Sequence, residues 1–334
     1  MTMPATTKKE IWLDTDPGFD DWFAWALLEA DPAVRLHGVS VVAGNAPLPL
    51  ALSNAQRIHA LHGWRTPLWA GADRPLVQKQ VTAQDILGST GLRTSGATLP
   101  EAATPLEPGH GVDAMIACVR ANPGRITLLA IGPLTNVALA FAKAPELPSL
   151  LAGLVIMGGS QGAGNTTPVA EFNIYADPEA AAQVFAQAGQ VGQAAGGAGT
   201  RMFGLEVCRQ VQGGDAHIAA LRAASRDRGD SGDAGDRAAI FADHLDGYIA
   251  LARRHGRASA PMYDPTPVAW LAHPEWFTLQ PARVDVELQG SLTRGMTVCE
   301  LRVPRRAVAN AEVAVAAKGD EVMGWAVELL RGVL

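Results

Sequence analysis

The sequence predicts an α/β fold, with one open, mostly parallel (mixed) β-sheet flanked by helices. Three observations carry that prediction. Short apolar runs rich in Val, Ile and Leu alternate with longer stretches of helical character. The runs end in polar turns, where open α/β sheets place their sites. The 334 residues are 48% hydrophobic and 18% charged, enough apolar material to cover both faces of a sheet.

The elements follow in order. Ile11–Leu13 reads as a short buried strand, and Trp22–Leu28 as an apolar helix. Leu36–Ala43 is a second strand, closed by Gly44-Asn45, and Leu50–Leu61 is a helix by periodicity. Ile126–Ile131 is a third strand, followed by Gly-Pro-Leu-Thr-Asn and the apolar helix Val137–Ala144. Leu151–Met157 is a strand broken by Gly158-Gly159. Asp177–Ala188 is a helix with Asp177 as its cap and Pro178 at its first position. There is no internal repeat, and one domain over residues 1–334 is expected, with residues 1–9 as a flexible tail. Gln187–Thr200 is rich in Ala, Gly and Gln and reads as a surface loop. Residues 225–236 are polar and Gly-rich, read as a mobile loop before a helix over Arg237–His255, and are a candidate lid.

Composition narrows the function. Net charge is −6 with no basic block, which disfavours nucleic acid and anionic membrane surfaces as partners. Cys118, Cys208 and Cys299 are far apart, so neither a disulfide framework nor a zinc site is expected. No apolar run reaches membrane-spanning length, and Met1–Glu10 lacks the core of a signal peptide. A cytoplasmic protein is expected.

The chemistry concentrates in four polar stations. The first is Asp14-Thr15-Asp16-Pro17-Gly18-Phe19-Asp20-Asp21, with four aspartates in eight residues between a buried-type strand and an apolar helix. Carboxylates crowded this way repel and suffer desolvation unless a positive group compensates them. A hard cation with oxygen ligands, Ca2+ or Mg2+, is the simplest compensator. The bland alternative is a solvated acidic turn. The second station is Val42-Ala43-Gly44-Asn45, the third runs from Asn165 to Ile174, and the fourth is Tyr263-Asp264-Pro265. In the third, Glu171 and Asn173 share one face if the segment is extended, and amides beside a carboxylate can bracket a polyhydroxylated ligand.

These stations, with Ile-Gly-Pro-Leu-Thr-Asn and Met-Gly-Gly between them, resemble in order the inosine-uridine preferring nucleoside hydrolases. The resemblance spans about residues 10 to 300 and implies a Rossmann-like nucleoside hydrolase fold. It implies that Ca2+ is held by Asp16, Asp21, Asp264 and the Ile131 carbonyl. Asp16 would also accept a proton from the attacking water. Asp20, Asn45, Asn165, Glu171 and Asn173 would hold the ribose hydroxyls, Met157 would line that pocket, and Asp14 would orient the acidic cluster. The implied reaction is hydrolysis of a ribonucleoside to free base and ribose, with inversion at the anomeric carbon. A ribose cage should reject 2′-deoxynucleosides. A homodimer or homotetramer is implied too.

The chain departs from the family at the base. Many members place a histidine before the late Asp-Pro, where this chain has Tyr263. A second family histidine falls where this chain has Leu87. The purine-specific branch activates its base by stacking on an aromatic residue, so Tyr263 points to purine nucleosides such as inosine. A tyrosine, with a reference pKa of about 10, is a weak acid for this task. His244, on the helix before the late aspartate, is a further candidate at the base. Uridine, or an unusual nucleoside whose base needs little leaving-group help, is the alternative substrate, and two further readings compete. A haloacid dehalogenase-type phosphatase would share Asp14-Thr15-Asp16, but it needs a later lysine, and none lies between Lys143 and Lys318. A non-catalytic nucleoside or ribose binder fits the missing histidines but has little need of Asp16, Asp21 and Asp264 together.

Overall fold

A computed structural model describes residues 8–194, 196–227 and 233–334. The first strand, β1 (Lys9–Thr15), is buried from Glu10 onward. Side chains alternate across it: Ile11 and Leu13 enter one hydrophobic core and Trp12 the other. The remaining strands are β2 (Val34–Val41), β3 (Leu68–Ala70), β4 (Ile126–Ala130), β5 (Gly153–Met157), β6 (Thr200–Phe203), β7 (Gln212–Gly214), β8 (Ser259–Pro261), β9 (Phe277–Val286), β10 (Thr297–Glu300) and β11 (Ala311–Ala317).

Nine of them form one sheet in the order β10-β9-β11-β6-β5-β4-β1-β2-β3, and β7 pairs with β8 separately. From β3 to β11 the pairing is parallel, while β9 runs antiparallel to β11 and to β10. The sheet is therefore mixed and mostly parallel, as expected. The order reverses at β1, which lies between β2 and β4. That switch point opens a crevice beyond the carboxyl ends of the strands. Register aligns those ends, with Asp14 opposite Ser40 on one side and Ala130 on the other.

Helices cover both faces. Phe19–Ala30, Pro265–Ala272 and Gly319–Arg331 contribute to one core. Gly111–Ala121, Thr135–Lys143 and Pro178–Gln187 contribute to the other. Asp177 does cap its helix, accepting from the Ala180 amide at 3.1 Å. Trp22, fully buried, is a core residue that donates to His62 Nε2 at 2.9 Å.

Two expectations shift. Strand β1 begins at Lys9, inside the expected tail, and residues 1–7 lie outside the described residues. Helices extend over Asp215–Asp227 and Asp233–Arg254, leaving only residues 228–232 of the expected loop outside the described residues. These two helices pack on each other, and that packing prevails over the local glycine content. No described helix is long and apolar enough to cross a membrane.

Candidate active site

The crevice at the switch point is a cavity of about 400 Å³. Its floor is acidic, with Asp20, Glu171 and Asp264 among the lining. Three helix N-termini meet there. Asp20 and Asp21 stand in the first turn of Phe19–Ala30, Glu171 caps Phe172–Ala176, and Asp264 precedes Pro265–Ala272. A helix N-terminus favours a carboxylate, which partly offsets the crowding.

Each aspartate of the first station has its own surroundings. Asp21 is the most heavily bonded. Its carboxylate accepts from the Thr15 hydroxyl at 2.5 Å, the Asp16 amide at 3.1 Å, the Gly18 amide at 2.9 Å and the Asn45 side chain at 3.2 Å. Asp16 accepts the Asn45 backbone N–H through Oδ2 at 2.6 Å, while its buried Oδ1 has no partner. Both oxygens press on glycines. A Cβ at Gly44 would meet Oδ2 at 2.1 Å, and one at Gly132 would meet Oδ1 at 2.7 Å. Only glycine lets the chain approach so closely. Asp14 lies deeper and is fully buried. Its Oδ1 accepts from Ser40 and, at 2.8 Å, from Asn136, and Oδ2 is unpartnered.

Burial pushes Asp14 and Asp20 up to about 7, with Asp21 adding repulsion at Asp20. Burial and neighbouring carboxylates also hold Asp16 and Asp264 well above the carboxylate range. Asp21 is raised by burial, against the bonds it accepts. This is the electrostatic signature of a site short of positive charge. Asp20, Asp21 and Asp264 each bring a carboxylate oxygen within 4.8 Å of the others. The donor set is all oxygen, with an orphaned buried oxygen at Asp16, and suits a hard divalent cation. The converging trio differs from the expected one: Asp20 joins it and Asp16 does not. Asp16 is turned instead toward Gly44-Asn45, whose amide it accepts.

Station three also differs from its expected form. The segment is not extended through Asn173; Glu171 is the N-cap of a short helix. Its carboxylate accepts from the Asn173, Ile174 and Gly159 amides at 2.8, 3.1 and 2.8 Å. Burial still raises it to about 7. Asn173 donates to the Ile131 carbonyl at 2.8 Å and the Met157 carbonyl at 3.2 Å, tying the ends of β4 and β5 together. Asn45, Met157, Asn165, Glu171 and Asn173 all line the cavity, as does Ile131. Asn45 has a second task, since its amide bridges the Asp16 carbonyl and the Asp21 carboxylate. The Gly-Pro-Leu-Thr-Asn stretch acts as a brace. Asn136 holds Asp14 and the Ala72 amide, and Thr135 donates to Asp177 at 2.7 Å.

A family model described as inosine-uridine preferring nucleoside hydrolase matches residues 11–324. The chain belongs to that family. Members are ribonucleoside hydrolases, enzymes that cleave N-glycosidic bonds, and the chain is an N-glycosyl hydrolase of this kind. It is 38% identical over 295 residues to a pyrimidine-specific ribonucleoside hydrolase, RihA, of Shewanella woodyi, covering 87% of this chain and 88% of the relative. It is 33% identical over 326 residues to RihB of Escherichia coli, also named pyrimidine-specific, covering 97% and 98%. Among solved structures, a purine-preferring ribonucleoside hydrolase from Gardnerella vaginalis superposes with a TM-score of 0.83 at 26% identity, covering 97% and 99%.

In this nucleoside hydrolase the residues expected at the base are placed as follows. Tyr263 and Leu87 both line the cavity, with Ala83 and Ile86 beside Leu87. The Ala83 amide donates to the Asn45 carbonyl at 3.1 Å, which joins that loop to the second station. Burial pushes the Tyr263 phenol up to about 12, so it is an even weaker acid than a free tyrosine. His244 is not among the lining residues. Its Nδ1 pairs with the Ile240 carbonyl at 2.8 Å and its ring stands edge-on to Trp22, 5.1 Å between centroids. Burial lowers its pKa. Sequence reasoning missed Tyr248, whose hydroxyl lies 3.0 Å from the Pro261 carbonyl and 3.4 Å from Asp20. Helical spacing was the available signal, because Tyr248 lies one turn beyond His244. It also missed Phe172, His255 and Arg257, all in the lining.

Proposed function

We propose that this enzyme hydrolyses ribonucleosides to base and ribose with Ca2+ at the acidic floor, and that purine nucleosides such as inosine are its preferred substrates. The observation that carries the reading is the crowding of Asp16, Asp20, Asp21 and Asp264, each buried and each raised, at the crevice of the switch point. Asp21, Asp264 and the Ile131 carbonyl would hold the cation together with Asp16, through the Oδ1 that has no other partner, although the carboxylate oxygens that already converge are those of Asp20, Asp21 and Asp264. That carbonyl keeps a lone pair beyond the one Asn173 uses. When bound, Ca2+ would supply Lewis acidity and neutralise the cluster.

The chain's own residues do the rest. Asp16 receives the proton of the attacking water on Oδ1. Asp20, Asn165, Glu171 and Asn173 hold the sugar hydroxyls, with Asn45 and Met157 shaping the wall. The carboxylates favour the positive charge that develops on the ribosyl ring. Attack from the face opposite the base predicts inversion. Tyr263 stacks on the base, an aromatic wall beside Asp264, and this supports the purine preference. The competing pyrimidine preference draws its support from the names of the relatives at 33–38% identity.

The test is ribose release from inosine, guanosine, uridine, cytidine and 2′-deoxyinosine, with Ca2+ and after chelation. The reading expects Ca2+-dependent release, kcat/KM highest for a purine, and loss of about 10²-fold or more for the deoxynucleoside. Uridine or cytidine leading the panel would overturn the purine preference. Full activity after exhaustive chelation would overturn the role of the cation.

A further inference from the structure

The cavity has opposite charge at its two ends. Its floor carries buried carboxylates, and the basic groups of its lining are His255 and Arg257, both exposed at the mouth. No family histidine stands at the base, since Tyr263 and Leu87 occupy those places. We propose that Arg257 is the leaving-group residue of this enzyme: its guanidinium contacts the nucleobase and takes up the negative charge that builds there as the N-glycosidic bond breaks. The proposal rests on the hydrolase reading above.

The backbone puts Arg257 there by a specific device. Helix Asp233–Arg254 lines the cavity with Tyr248, Leu251 and Ala252, spaced three and four residues apart. It then ends in a Schellman turn. Gly256 adopts φ +71°, the Gly256 amide donates to the Arg253 carbonyl, and the Arg257 amide donates to the Ala252 carbonyl, both at 3.0 Å. The chain reverses at that glycine and continues into β8, which is paired to β7 and leads to Tyr263. Arg257 is thus fixed at its backbone beside the base-side wall.

Its charge is available. Among the described residues the Arg257 guanidinium has no hydrogen bond and no ion pair, whereas Arg253 is held by Asp215 and Asp246, and Arg222 by Asp243. Arg257 is also close enough to Tyr263 for its charge to oppose the burial that raises the phenol. A guanidinium stays protonated, so it stabilises the leaving base without giving up a proton. The step balances without a base-side acid. Water oxygen bonds to C1′, its proton passes to Asp16, and the C1′–N bond breaks with its electron pair on the base nitrogen. The base departs as an anion held by Arg257 and is protonated by solvent after release.

Two substrates separate this role from a structural one. A natural nucleoside, the best of the panel, needs help for its leaving base. p-Nitrophenyl β-D-ribofuranoside has a leaving group that is stable as an anion. Arg257→Ala should lower kcat on the nucleoside about 10- to 100-fold and change hydrolysis of the nitrophenyl riboside less than about twofold. Arg257→Lys should recover part of the loss, and the melting temperature should stay that of the parent. Equal losses on both substrates, or no loss on the nucleoside, would overturn the proposal. Cleavage of the nitrophenyl riboside but of no nucleoside by the parent enzyme would leave the ribosyl-hydrolase reading standing and remove Arg257 from its role. If the parent cleaves neither, the hydrolase reading fails and this role falls with it.

Discussion

The two ends of the cavity are built on different principles. The acidic floor rises from the ends of β1, β2, β4 and β5, and its groups are buried and multiply tied: Asp21 accepts four hydrogen bonds and Glu171 three. The base end is made of the loop around Gln84–Leu87, the last turns of Asp233–Arg254 and the half-buried Tyr263. Its basic groups, His255 and Arg257, are exposed, and the Tyr263 hydroxyl has no hydrogen bond among the described residues. At the floor Asp21 and Glu171 are fixed by their hydrogen bonds, while Asp14 and Asp16 each keep one buried carboxylate oxygen without a partner.

Asp16 offers the strongest way to break this contrast. Asp16→Asn preserves the side-chain volume that Gly44 and Gly132 leave room for, and it removes a charge from a crowded cluster. Ribose release should fall by about 10³-fold or more, the upper part of the range for losing a positioned general base. The protein without added metal should melt no lower than its parent, because one repulsive charge is gone. A fall of less than tenfold in kcat would remove Asp16 from its catalytic role and shift attention to the converging Asp20, Asp21 and Asp264.

Substitution at Tyr263 sharpens the other side. If the ring acts by stacking, Tyr263→Phe should keep kcat/KM on inosine within about threefold, and Tyr263→Ala should lose about 10- to 100-fold. If the hydroxyl instead serves as an acid, the phenylalanine variant should be as damaged as the alanine one. The phenol's position near 12 argues for the first outcome.

The floor was legible in the sequence because its carboxylates are crowded into one short segment. Asp14-Thr15-Asp16-Pro17-Gly18-Phe19-Asp20-Asp21 is contiguous, and a cluster that needs compensation is visible as charge density alone. The strand-and-helix alternation fixed the layers, though not the antiparallel β9 and β10, whose register depends on distant partners. The form of station three was misjudged because Glu171 bonds its own downstream amides, a local cap that alternation cannot reveal. Arg257 was invisible for another reason. A lone surface arginine carries no motif, and only the reversal at Gly256 brings it to the cavity. His244 shows the opposite failure, since it is near the site in sequence but is turned into the core by the Ile240 carbonyl and Trp22.

The smallest effect lies behind the floor, on the far side of Trp22, and asks whether that support is as rigid as the floor it carries. His62 accepts from Trp22 Nε1 at 2.9 Å and stacks on Trp64, 4.4 Å between centroids and 9° from parallel. It lines a smaller cavity with Arg237 and Glu29. Burial, then Arg237, then His59 push its pKa down to about 3. The sign follows from linkage. An unfolded histidine takes up its proton near pH 6.5, and the folded one resists until about 3, so the stability His62 contributes is present above pH 6.5 and is lost as pH falls toward 3. The slope is at most about 1.4 kcal/mol per pH unit for a single group. Thermal melts of the parent and His62→Gln between pH 7.5 and 5 measure it. Glutamine can still accept from Trp22 and does not titrate, so the variant's melting temperature should fall less steeply toward acid than the parent's. Parallel pH profiles would show that His62 is protonated freely in the folded protein, and that the packing behind Trp22 opens more readily than the floor it supports.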